Sequence, residues 1–237
     1  MSEPGGQVPR HVGIVPDGNR RWARLHGVPV LEGYRRGAAK TVEVLRWCEQ
    51  AGVETATVWA LSLDNAAKRQ ELPVMLDAIT ELTHALTAER SWRLNVLGSP
   101  EHLDGLGLSE LSGRTRGDDD ATGAASTAGV AGGLRVNLAV AYDGRAEILA
   151  AVHALLAEDG AEALDVRAVG RRLAQWGQPD CDLILRASGE QRLSGFLLWQ
   201  SAAAELYFAP ELWPDFTRQR FQEALISYAG RDRRYGA

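Results

Sequence analysis

Residues 186–208, RASGEQRLSGFLLWQSAAAELYF, crowd two arginines, a serine and two glutamates against an apolar run. Guanidinium forks match phosphate oxygens, and a serine hydroxyl adds a donor. A carboxylate beside them repels a phosphate unless a metal ion or a proton lies between. Arg186, Glu190, Arg192, Ser194 and Glu205 thus describe a Mg-diphosphate site at the edge of an apolar cavity. They describe equally well a surface ion-pair network, with Arg186 and Arg192 satisfying Glu190 and Glu205 beside an ordinary core strand.

A second segment favours the first reading. His11 to Val15 is an apolar strand that runs into Pro16, Asp17, Gly18 and Asn19, then Arg20, Arg21 and Trp22. A short buried strand ending in a glycine-containing turn is where α/β enzymes place ligand groups. Gly18 lets a backbone approach an anion, and a following helix turn can offer amide hydrogens to a phosphate. Asp17 is electrostatically out of place there unless a divalent cation bridges it. A surface N-cap accounts for Asp17 but not for the cations that follow.

Those two segments need a frame. Periodicity predicts strands at about 11–16, 55–61, 92–97, 134–141 and 182–185, with a further apolar element starting at Phe196. Helices are expected over roughly 34–51, 71–90, 145–157 and 161–175. Strands alternating with helices imply an α/β domain with a mainly parallel central sheet flanked by helices. Residues 1–9 read as a flexible arm and 10–237 as one domain. Residues 113–133, rich in Gly, Ala, Thr, Ser and Asp, read as a mobile loop. The first strand is not followed by Gly-x-Gly-x-x-Gly, which disfavours a Rossmann nucleotide module.

Composition narrows the function. The net charge of −5 excludes bulk attraction to nucleic acid. Yet residues 10–46 carry eight Lys/Arg against three acids. Cations following a ligand-binding turn suit a small polyanion. Cys48 and Cys181 have no metal-ligand or disulfide pattern and read as small buried hydrophobes. Lacking a signal peptide or spanning segment, the chain is expected to be a soluble cytoplasmic protein, with at most peripheral membrane contact.

Taken together, the chain resembles the cis-prenyltransferase family, the undecaprenyl diphosphate synthase-like enzymes, from about residue 10 to 236. Asp17-Gly18-Asn19 with Arg21-Trp22 is similar to the family's first motif, and Ser62-Leu63-Asp64-Asn65 to its middle one. Arg186 to Glu205, then Leu212 to Phe216 and Arg233 to Gly236, are similar to its last. Tyr34 and residues 194–200 look closest to actinobacterial short-chain members that make Z-farnesyl-type products.

The resemblance implies the cis-prenyltransferase fold and a Mg²⁺-dependent condensation of isopentenyl diphosphate with an allylic diphosphate. It implies Asp17 and Glu205 as metal ligands, and Asp17 and Asn65 as catalytic residues. Gly18, Asn19, Arg20 and Arg21 would hold the allylic diphosphate, and Arg186, Arg192 and Ser194 isopentenyl diphosphate. Trp22, Tyr34, Ser62, Asp64 and Lys68 complete the substrate site. It further implies a homodimer, with Arg234 and Gly236 reaching the partner's site.

Several residues depart from the family pattern. Leu63 stands for threonine or serine, Asp64 for glutamate, Ala66 for a large residue, Lys68 for arginine and Asp143 for glycine. Without the resemblance, Asn65 reads as a turn residue. As a carboxamide it is a very weak base, better suited to hydrogen-bonding the true proton acceptor. These departures admit two alternatives: irregular coupling or cyclase-like chemistry on the same fold, or a weakly active partner subunit.

Overall fold

The computed structural model describes residues 7–68, 70–108, 110 and 133–230. Six strands form one parallel sheet: β1 (His11–Val15), β2 (Thr55–Trp59), β3 (Arg93–Leu97), β4 (Arg135–Ala139), β5 (Leu183–Arg186) and β6 (Glu205–Phe208), ordered β3-β4-β2-β1-β5-β6. The helices are α1 (Asn19–Leu25), α2 (Val30–Ala51), α3 (Leu63–Lys68), α4 (Leu72–Ala88), α5 (Pro100–Gly105), α6 (Gly144–Glu158), α7 (Val166–Gln175) and α8 (Arg218–Ala229). The expected single α/β domain with a parallel sheet is present.

The inner strands are buried on both faces, hence their near-continuous apolar runs. Alternate residues serve opposite sides. Val12, Ile14, Leu183 and Leu185 join the core shared with α2, α4 and α8. Ile184 turns the other way, to Phe196 and Leu197. Gly13 faces that side too: a Cβ there would lie 2.5 Å from Ile184 Cδ1.

Two boundaries differ from the sequence reading. Helix α2 begins at Val30, with Pro29 as its N-cap. Its first turns carry Glu32, Gly33, Arg35, Arg36 and Gly37, which hide an apolar stripe. Residues 194–203 form successive turns rather than a regular element, and burial of Phe196 and Leu197 holds them. The 113–133 segment falls almost wholly outside the described residues.

A polar ladder sits within the sheet. Asn95 Nδ2 donates to Asn137 Oδ1 (3.1 Å), and Asn137 Nδ2 donates to Thr57 Oγ1 (3.1 Å). Thr57 Oγ1 lies 2.8 Å from His11 Nε2, and His11 Nδ1 lies 3.0 Å from the Pro179 carbonyl. Those partners fix the neutral tautomer with the proton on Nδ1, donated to Pro179. Slipping a strand by one residue would strand these buried groups, so the ladder reinforces the register.

Burial pushes the His11 imidazole down from 6.5 to about 4. Above pH 6.5 the ring is neutral in folded and unfolded chains alike. As pH falls from 6.5 towards 4, only the unfolded chain takes up the proton, so stability drops. The loss reaches about 3 kcal/mol once pH passes 4. Denaturant titrations at pH 7 and pH 4 should show it, and His11→Gln should flatten that part of the pH dependence.

Candidate active site

The chain leaves β1 towards β2 on one side, while β5 lies on the other. This reversal opens a crevice at the carboxyl ends of β1 and β5, where open α/β sheets hold ligands. Asp17 follows β1, and Arg186 ends β5. A cavity of about 720 Å³ occupies the crevice.

The Asp17 turn is built by close approach. Gly18 has φ 107°, a left-handed conformation that suits glycine, and a Cβ there would lie 2.8 Å from Leu212 Cδ2. Asn19 starts α1 and packs on α2 where two glycines make room. A Cβ on Gly33 would lie 2.4 Å from the Asn19 carbonyl oxygen, and one on Gly37 2.3 Å from Asn19 Oδ1. Trp213 Nε1 donates to the Gly37 carbonyl (2.9 Å) and to Thr41 Oγ1 (3.1 Å), closing the same corner.

Arg186 is only 4 % exposed. One guanidinium nitrogen donates to Asp17 Oδ2 at 3.0 Å; the other reaches the Arg192 carbonyl and Ser194 Oγ, the latter at 3.1 Å. Asp17 Oδ1 stays towards the cavity, 3.8 Å from Arg21. Arg192 pairs with Glu190, and Arg21 lies 4.0 Å from the same glutamate. Ser188 and Ser194 have φ of 80° and 53°. Positive φ in L residues is strained, and here the loop is held by Arg186 and by Phe196 and Leu197 beneath it.

The opposite wall comes from the segment after β2. Ser62 bridges Tyr142, and its Oγ accepts the Asn65 amide at 3.1 Å, capping α3. The Tyr142 hydroxyl donates to Glu147 (2.7 Å), which also accepts from Gln178 and Gln200. Burial raises the pKa of both; for Tyr142 the nearby Glu147 charge adds to it. Between the two polar walls the cavity runs along apolar groups of α2 and α4, among them Ala38, Met75, Ala78, Ile79 and Leu82.

Twelve sequence-predicted residues line this one cavity: Asp17, Gly18, Asn19, Arg20, Arg21, Tyr34, Ser62, Asp64, Asn65, Arg186, Arg192 and Ser194. Three lie elsewhere. Trp22 donates to Asp215 (2.8 Å) and stacks on His26. Lys68 is a highly exposed ammonium paired with Asp64. Glu205 begins β6 and is level with Leu183 and Val12. Val12 precedes Val15 by three residues, about 10 Å along the strand, before the chain even reaches Asp17. One chain therefore does not bring Glu205 and Asp17 to a single ion. Arg234 and Gly236 lie outside the described residues.

The basic run also divides. Arg20, Arg21 and Arg24 reach the cavity. Arg35, Arg36, Lys40 and Arg46 pair with Glu81, Glu32, Glu43 and Glu89 on the surface. Arg24, Tyr142 and Asp143 line the cavity although the sequence assigned them no role there, and Glu190 lines it as the sequence suggested. Arg24 could have been found as the helical neighbour, four residues on, of Arg20. The buried thiols of Cys48 and Cys181, both pushed up to about 12, are inert as expected.

Comparison with known proteins agrees with this architecture. The family model "Putative undecaprenyl diphosphate synthase" matches residues 15–236. A short-chain Z-isoprenyl diphosphate synthase of Mycobacterium leprae is 45 % identical, over 97 % of this chain and 88 % of its own length. A (2Z,6E)-farnesyl diphosphate synthase of Mycolicibacterium smegmatis is 43 % identical, over 97 % and 89 %. The crystal structure of lavandulyl diphosphate synthase from Lavandula x intermedia, in complex with dimethylallyl diphosphate, superposes with a TM-score of 0.77 at 29 % identity, covering 97 % of this chain and 99 % of that one. A crevice at the ends of β1 and β5, lined with arginines and floored by two helices, thus sits in a chain that belongs to the undecaprenyl diphosphate synthase family of prenyltransferases.

Proposed function

We propose that this chain condenses isopentenyl diphosphate with a short allylic diphosphate to give a Z-configured prenyl diphosphate. The observation that carries the reading is one cavity lined by five arginines and by apolar groups of α2 and α4. Diphosphates suit the first and a prenyl tail the second. Gly18, Asn19, Arg20, Arg21 and Arg24 would take the allylic diphosphate. Arg192 and Ser194 would take the isopentenyl one, with Arg186 holding both sides in place.

Charge balance bears on the cofactor. The five arginines face four carboxylates in the lining: Asp17, Asp64, Asp143 and Glu190. A single net positive charge does not neutralise two diphosphates. Among the described residues no three His, Cys, Asp or Glu group to hold a metal. That donor set fits Mg²⁺, which takes one or two carboxylates and otherwise substrate oxygens and water. Asp17 Oδ1 would hold it. The ion supplies stabilisation of charge developing on the departing diphosphate. Ser62 and Asn65 would hold isopentenyl diphosphate by hydrogen bonds to its diphosphate oxygens.

Asp17 is the first test. Removing its side chain would leave the buried Arg186 charge unpaired, which costs about 3–5 kcal/mol. Asp17→Asn keeps an oxygen for Arg186 and removes the charge. Turnover should fall about 100-fold or more, while the retained hydrogen bond keeps the loss of stability below that of Asp17→Ala. Labelled isopentenyl diphosphate should enter the product of the unmodified chain, and excess EDTA should stop it. Unlabelled product formed from allylic diphosphates alone would instead identify coupling without elongation.

Arg192 is 60 % exposed in its side chain and pairs with Glu190 rather than with a structural partner. Arg192→Ala should therefore leave folding intact. It should raise KM for isopentenyl diphosphate by roughly 10- to 150-fold, the loss of one charge-assisted contact. KM for the allylic substrate should change far less. An equal effect on both would reassign the subsite.

The homodimer belongs to the same reading, because a partner's arginines would add positive charge to the mouth. Deleting residues 233–237 should reduce turnover sharply without unfolding the chain. Mixing that truncation with Asp17→Asn chains should restore part of the activity, since one mixed site then holds an intact aspartate and an intact tail. An active truncation, or a monomer at micromolar concentration, would refute it.

A further inference from the structure

The fold sets Asp143 between the two polar walls of the cavity. On one side Tyr142 bridges Ser62, and the Leu63 amide donates to the Tyr142 carbonyl at 3.0 Å. That contact fixes the backbone next to Asp143 against the segment carrying Asn65. On the other side, a Cβ on Gly144 would lie 2.4 Å from the Gly195 carbonyl oxygen. That close approach fixes it against the loop carrying Ser194. Asp143 lines the cavity and is half-buried.

Its carboxylate is oriented as well as placed. Oδ1 accepts the amides of Arg145 (2.8 Å) and Ala146 (2.9 Å), capping α6. Among the described residues no side chain is hydrogen-bonded to Oδ2. A carboxylate anchored through one oxygen, with the other available beside the isopentenyl site, has the form of a general base. The carboxamide of Asn65 on the same cavity lacks the basicity for that step.

We propose that Asp143 is the proton acceptor of the condensation; the inference rests on the elongation reading above. As the allylic C1–O bond breaks, its electron pair leaves with the diphosphate. The terminal alkene carbon of isopentenyl diphosphate bonds to C1, placing the cation at C3. The C2–H electron pair then forms the C2=C3 bond, and the proton passes to Asp143 Oδ2. Asn65 and Ser62 hold the substrate while Asp143 takes the proton.

Capping and catalysis separate cleanly here. Asparagine caps a helix as well as aspartate does, so Asp143→Asn should fold as the parent does. Its single-turnover rate with bound allylic diphosphate and labelled isopentenyl diphosphate should fall by about 100-fold or more. Proton loss then limits the reaction, so deuterium at C2 of isopentenyl diphosphate should give a larger primary isotope effect than in the parent. Asp143→Gly should be equally slow and partly restored by added formate, which supplies a carboxylate in the vacated space. Asp143→Asn turning over at the parent's rate would overturn the proposal. So would a defect confined to substrate affinity, or an isotope effect unchanged from the parent. An unmodified chain that does not incorporate isopentenyl diphosphate would instead overturn the elongation reading, and this inference with it.

Discussion

A buried positive charge organises this molecule. Arg186 sits at the end of a central strand, nearly without solvent; its two terminal nitrogens donate to Asp17, Ser194 and the Arg192 carbonyl, while Nε is buried with no partner among the described residues. A guanidinium in such a place is costly unless its partners are well aligned. That requirement ties the turn after β1 to the loop after β5, across two adjacent strands. Asp17 is thereby held with one oxygen engaged and one facing the cavity. The loop from Ser188 to Leu197 accepts positive φ at Ser188, Ser194 and Leu197 because its ends are secured. Lysine could not replace Arg186, because a point charge lacks the planar fork that reaches three partners.

The same economy of space governs the other side of the turn. Gly33 and Gly37 lie one helical turn apart on α2, and both abut Asn19. Side chains at those positions would push α1 outwards and move the amides that begin it. The Trp213 indole donates to the Gly37 carbonyl from the opposite direction. The residues Leu212 to Asp215 therefore act at a distance from their position in the chain: they hold the first motif shut rather than touching the cavity.

Much of this was legible in the sequence, and what was not has definite physical reasons. The strands showed because both sheet faces are buried, which leaves continuous apolar runs in β1, β2, β4 and β5. The start of α2 did not show, since its first turns bury glycines and expose charges. The polar ladder of Asn95, Asn137, Thr57 and His11 was hidden, because it exists only once four strands are in register. Asp17, Arg186 and Ser194 were legible as types, but the buried pair between the first two was not. Glu205 carried the right chemistry in the right motif, yet its strand level places it away from Asp17 in the same chain. Trp22 and Lys68 likewise sit beside site residues in sequence while facing other partners.

The two walls of the cavity are unequal in how firmly they are made. The Arg186 wall is anchored by a buried guanidinium hydrogen-bonded to two segments, the turn after β1 and the loop after β5. The α3 wall has no buried residue, is capped by Ser62, and carries the exposed Asp64–Lys68 pair. Exposed pairs of that kind contribute little, commonly below about 1 kcal/mol. Short segments with few buried contacts open locally at low free energy. Bound diphosphates would therefore order α3 more than they order the Arg186 loop. Leu63, Asp64, Ala66 and Lys68 all lie on this weaker wall, where substitution disturbs packing least. Asp143 instead lies beside the firm frame formed by Tyr142, Glu147, Gln178 and Gln200. A charge fixed there keeps its position while α3 moves, which is the property a proton acceptor needs beside a wall that its substrate must help to assemble.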